Sequence, residues 1–140
     1  MKATAIDHIC IAVKDLAKAR QAYEETLGLE LALEYEAASE KIRVARYYLG
    51  EVALELMEDL DGTGEVAKFI QRRGEGIYLI SFRVSDVEKG LEELRQKGIK
   101  TIDQAPRRLL GNRYAFLQPP AQLCGVLAEI LDGDFDPDQA

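Results

Sequence analysis

Residues 6–13 read IDHICIAV and residues 76–84 read GIYLISFRV. Both stretches are rich in β-branched residues and alternate in polarity, so each is expected to form a half-buried strand. Sliding the chain on itself by 71 residues puts His8 on Leu79, Ala12 on Arg83, Val13 on Val84, Asp15 on Asp86 and Leu16 on Val87. A second slide of 74 residues puts Glu55 of ALELM on Glu129 of LAEIL. An internal copy of this kind governs the fold class. The change of offset requires only a small insertion, which loops accept.

The segments between these landmarks follow the same plan in each half. DLAKARQAYEETLGLE has a capping Asp15, apolar residues at helical spacing and Gly28 as a stop, which predicts a helix. LALEYEA, KIRVARYYL and EVALELME then read as three strands, and EVAKFIQRR as a short amphipathic helix. After the second copy of the first strand, SDVEKGLEELRQKG repeats the capped helix, and GIKTIDQ, NRYAFLQ and GVLAEILD are expected to be three more strands. The expected fold is α+β, one domain over residues 1–140 built from two sequential βαβββ modules, about 5–60 and about 76–132, that form a shared cleft. The acidic tail, 133–140, is expected to fray.

Bulk composition narrows the function. A chain of 140 residues, 47% hydrophobic and 31% charged, can enclose a core. None of its apolar runs nears the roughly 20 residues of a membrane span. The net charge of −7 opposes general nucleic-acid binding, which needs a basic surface to displace counterions. No export signal is expected from the N-terminal residues, and two cysteines, Cys10 and Cys124, are too few and too far apart for a disulfide framework or Cys-based zinc site. A reducing cytoplasm is therefore the expected location, with both thiols in the core.

Strand alternation puts His8, Cys10 and Ala12 on one face and Ala53, Glu55 and Met57 on one face. His8 is the only histidine, and Glu55 and Glu129 lie inside apolar strands, where an unpartnered carboxylate is costly. The four repeat-equivalent positions are His8, Leu79, Glu55 and Glu129. A symmetric ancestor would carry two histidines and two carboxylates there, a mixed N/O set suited to cobalt, zinc, nickel or manganese.

The paired βαβββ plan, with IDHICIAV leading to YEETLGLE and with GVLAEILD near the end, resembles the vicinal oxygen chelate superfamily of glyoxalases, extradiol dioxygenases and resistance proteins. Within it, ELME…VAKFIQRRGEG and NRYAFLQPP…GVLAEI look most like methylmalonyl-CoA epimerase. The resemblance implies an isomerase that removes and returns the proton alpha to a thioester carbonyl. Position by position it implies His8, Glu55 and Glu129 as metal ligands, with Leu79 standing where relatives carry a ligand histidine. A divalent metal (cobalt, zinc, nickel or manganese) would then be held by three protein ligands rather than four. A carboxylate released from ligation, Glu55 or Glu129, becomes the candidate catalytic base, while the position matching the relatives' second base is Val44.

Arg72, Arg73 and Arg113, with Arg107 and Arg108, stand out in an acidic chain, and guanidinium groups suit the phosphates of a CoA carrier. The expected partners are a small-molecule substrate such as a CoA thioester and a second copy of the chain as a homodimer, with no nucleic acid and no membrane. The alternatives are a metal-free protein of the same architecture that binds a small ligand without catalysis, or a related lyase.

Overall fold

The computed structural model describes residues 1–139. Two compact units emerge, one comprising His8–Tyr78 and the other Met1–Asp7 with the residues from Leu79 onward. Their elements run β1 (Ala5–Ala12), α1 (Leu16–Leu27), β2 (Leu31–Ala37), β3 (Ile42–Leu49), β4 (Val52–Asp59) and α2 (Glu65–Arg73), then β5 (Gly76–Arg83), α3 (Val87–Gln96), β6 (Arg107–Leu109), β7 (Asn112–Phe116) and β8 (Ala128–Gly133). In the first unit the strand order is β2-β3-β4-β1, with β1 parallel to β4 and the other neighbours antiparallel. In the second it is β6-β7-β8-β5, with β5 parallel to β8 and the rest antiparallel. The α+β repeat read from the two strand copies is thus present as matching topology.

Equivalent residues cap the equivalent helices. The Lys18 amide donates to Asp15 at 3.1 Å, and the Lys89 amide to Asp86 at 2.9 Å. Gly28 ends α1 at φ +65°, the left-handed conformation that suits a residue without a Cβ. Asp15→Ala is expected to cost about 1 kcal/mol of stability in a urea titration. The amide of Lys89 and the charge of Arg113 hold the Asp86 carboxyl below its ordinary range. Its contribution is therefore complete above the unfolded-state value and fades as pH falls through the lower folded value.

One sheet face in each unit packs against a helix. Val13, Leu16, Ala45, Tyr47 and Leu56 form the core of the first unit, and Val84, Val87, Leu91, Ala115 and Ile130 that of the second. In β4 this leaves Ala53, Glu55 and Met57 on the face away from α1, as period-two alternation requires.

Three expectations need correction. GIKTIDQ is not a strand. Its backbone amides are taken up elsewhere, Ile99 donating to Leu94 O at the end of α3 and Ile102 and Asp103 to Leu117 O and Phe116 O. The pairing role passes to Arg107–Leu109, which closes a tight hairpin on β7. The tail, whose last residue Ala140 lies outside the described residues, does not simply fray either, because the Asp136 amide donates to Leu110 O at 2.7 Å. Gly111, at φ +86°, makes room for it: a Cβ there would lie 2.2 Å from Asp134 O. Gly111→Ala should therefore lower stability by more than about 1 kcal/mol, measured by thermal or urea unfolding. Finally, Cys124 is exposed, on a left-handed turn at φ +58°, and only Cys10 is in the core.

Candidate active site

The site begins with β1 and β4. Their parallel register sets Cys10 beside Glu55 and His8 beside Ala53, so both side chains of β1 face the Glu55 carboxylate. His8 is 7% exposed, Cys10 0% and Glu55 1%. His8 Nε2 stands 3.7 Å from Glu55 Oε1, and the Cys10 thiol donates to that same oxygen at 3.7 Å.

The other oxygen of Glu55 is differently engaged. Arg46, the residue opposite Glu55 across the β3–β4 pair, donates to Oε2 at 2.8 Å, and the Tyr35 hydroxyl donates to it at 2.7 Å. Arg46 is itself held by Nε donating to the Tyr48 hydroxyl at 3.0 Å, with its guanidinium over that ring at 5.1 Å. Burial works against the charged form of Arg46, but the charge of Glu55 and the bonds to Tyr48 and Glu55 outweigh it, so the net direction is upward. Burial first, and the Glu55 charge second, push the Tyr35 phenol far above its ordinary value, so it stays a donor.

Tyr35 reaches this face because β2 is irregular. Leu31 pairs with Tyr47 but Leu33 with Arg46, a register shift that acts as a bulge. Leu31 packs into the helix-side core while Tyr35, opposite Val44, meets Glu55 on the other side. Strict alternation would have put residues 31 and 35 on one face.

The second unit repeats the register with other side chains. Ser81 pairs with Glu129 as Cys10 does with Glu55, and Phe116 lies opposite Glu129 where Arg46 lies opposite Glu55. Arg107, opposite Tyr114, takes the place that Tyr35 has opposite Val44. Its guanidinium sits over the Phe116 ring at 4.8 Å and pairs with Asp103 at 2.9 Å. Glu129 is 5% exposed and Leu79 4%. The Ser81 hydroxyl, fully buried, has no hydrogen-bond partner among the described residues.

Of the residues singled out from the sequence, the structure brings His8 and Glu55 together, while Glu129 belongs to the other unit, on β8. Arg72 and Arg73 are exposed in the last turn of α2, where Arg72 donates to Lys68 O. Arg113 is held by Asp132 through Nε at 2.9 Å and a second nitrogen at 2.6 Å, and Asp132 in turn accepts from the Val87 amide at the start of α3. That geometry makes Arg113 a brace for a helix terminus. Sequence reading missed Arg46, Tyr35 and Cys10. Arg46 was visible as a charge inside an apolar strand, whereas the bulge hid Tyr35.

His8, Cys10 and Glu55 offer ligand atoms that all lie within 4.8 Å of one another, a nitrogen, sulfur and oxygen set of the kind that borderline divalent ions accept. Oε1 is turned toward the other two donors while Oε2 is fixed by Arg46 and Tyr35, as the outer oxygen of a ligating carboxylate commonly is. The residues present therefore fit a divalent ion.

A family model for the glyoxalase/bleomycin resistance protein/dioxygenase superfamily matches residues 7–116. The chain belongs to this superfamily. It is 34% identical over 128 residues to the uncharacterized protein YqjC of Bacillus subtilis, covering 91% of each chain. The crystal structure of methylmalonyl-CoA epimerase from Mycobacterium tuberculosis superposes with a TM-score of 0.86 at 32% identity, over 94% of this chain and 89% of that one. Streptomyces coelicolor methylmalonyl-CoA epimerase, solved as a single-residue variant in complex with 2-nitronate-propionyl-CoA, gives 0.88 at 30% identity over 99% and 100%. No helix among the described residues is long and apolar enough to cross a membrane.

Proposed function

We propose that this superfamily member acts on a 2-substituted acyl-CoA thioester of the methylmalonyl type, taking and returning the proton alpha to the carbonyl, with Glu129 as the base. The observation that carries the assignment is the engagement of Glu55: Oε2 accepts from Arg46 and Tyr35, and Oε1 from the Cys10 thiol. A carboxylate whose two oxygens are held by three donors is not free to swing onto a substrate proton. Proton transfer is assigned to Glu129, the carboxylate buried on β8 that is equivalent to Glu55 in the repeat. The likeness to methylmalonyl-CoA epimerases at 30–32% identity over nearly the whole chain supports the substrate class.

His8, Cys10 and Glu55 would hold a divalent ion, which when bound would supply a positive charge to the thioester oxygen as electron density develops there. Exposed Arg72 and Arg73 are the cations assigned to the CoA phosphates. The proposal includes a cytoplasmic location and a homodimer, whose expected doubled mass light scattering of the purified chain would read.

The test is incubation of the full chain with methylmalonyl-CoA in deuterium oxide, followed by mass spectrometry of the recovered thioester. Deuterium gain above the enzyme-free blank is expected. No gain, with or without added cobalt, would overturn the isomerase reading in favour of a protein that binds a small ligand without catalysis.

A further inference from the structure

We infer that the Cys10 thiolate is the third ligand of a zinc- or cobalt-type site with His8 Nε2 and Glu55 Oε1, built wholly within the unit His8–Tyr78. The inference extends the metal part of the proposed function but does not need its proton chemistry. Three observations carry it.

The first is donor spacing. Ligand bonds of about 2.0–2.3 Å at tetrahedral angles put any two donors about 3.3–3.6 Å apart. His8 Nε2 and Cys10 Sγ each lie 3.7 Å from Glu55 Oε1, close to that spacing, and all three donors lie within 4.8 Å of one another, so small side-chain shifts close the set on an ion. The second is burial, since none of the three is more than 7% exposed and all face the same side of β1 and β4. The Oε1 geometry is held from behind by Tyr35 and Arg46, so the carboxylate is oriented before an ion arrives.

The third observation is charge. Arg46 cancels the charge of Glu55, so a neutral imidazole beside that ion pair presents no net negative charge to a dication. Deprotonated Cys10 restores one. On binding, the Cys10 S–H bond breaks, its proton leaves to solvent, and the sulfur lone pair forms the metal bond. A thiolate donor also favours zinc and cobalt over magnesium or calcium, which prefer oxygen.

The experiment is titration of the full, metal-stripped chain with cobalt(II), read by absorption. A near-ultraviolet thiolate-to-cobalt charge-transfer band is expected, saturating at one ion per chain. Cys10→Ser should abolish the band and weaken cobalt binding by about 100-fold or more, since even outer-shell changes cost 10–100-fold. Cys124→Ser should leave both unchanged. Circular dichroism establishes that the variants are folded, and Cys10→Ala provides a second variant of the same position. Absence of the band in the wild-type chain, its survival in both folded Cys10 variants, or its loss with Cys124→Ser would overturn the assignment. A band without deuterium exchange sustains the site and defeats the isomerase reading; exchange without a band does the reverse.

Discussion

Arg46→Met is expected to lower the unfolding free energy by about 3–5 kcal/mol, the usual penalty for removing one partner of a buried ion pair. Arg46 and Glu55 are 5% and 1% exposed, and their 2.8 Å contact joins adjacent strands on a face that water barely reaches. Without the guanidinium, Glu55 keeps its bonds from Tyr35 and Cys10 but loses its neutralising charge. The double variant Arg46→Met with Glu55→Leu should recover most of that loss, because a buried pair exchanged for apolar side chains of similar volume is often neutral or better. Equilibrium urea unfolding of the wild-type chain, both single variants and the double, with chelator present, gives the coupling directly. If the double variant is no more stable than Arg46→Met, the cost of the single change lies in lost packing around the arginine stem and not in an unpaired charge.

That pair also illustrates what the sequence could convey. The repeat was legible because both copies preserve the strand alternation, the capping aspartates Asp15 and Asp86, and one carboxylate in the last strand of each module. Those features are local, and the structure gives the two copies the same strand order, β2-β3-β4-β1 and β6-β7-β8-β5. His8 and Glu55 could likewise be matched through the repeat and the family resemblance. Other contacts depend on register, which alternation alone does not set. The shift between Leu31 and Leu33 changes the face presented by Tyr35, and only then does its hydroxyl meet Glu55. Cys10 looked like an ordinary core thiol because its partner is 45 residues away in the sequence. GIKTIDQ alternates well enough to suggest a strand, but the strand that pairs with β7 is the short RRL segment after it. Local pattern does not reveal which of two neighbouring segments a hairpin will recruit.

Glu129→Gln should reduce deuterium exchange into methylmalonyl-CoA by about 10²–10⁴-fold, the range a positioned general base supplies. The amide keeps the size of the side chain on β8, and the loss should fall on kcat rather than KM. Glu129→Asp retains the carboxylate one methylene further back and should give an intermediate rate. The stereochemical outcome follows from Val44. This fully buried side chain stands where the family resemblance implies a second base, and it can neither accept nor donate a proton. With Glu129 as sole carboxylate base, return of the proton to the face it left is expected to be faster than return to the other face. Exchange in the wild-type chain should therefore outrun inversion at the same carbon, and comparing deuterium content with the epimer ratio over time measures the difference. Inversion keeping pace with exchange would require a second proton donor, and Tyr35, whose hydroxyl donates to Glu55, would be the first side chain to replace.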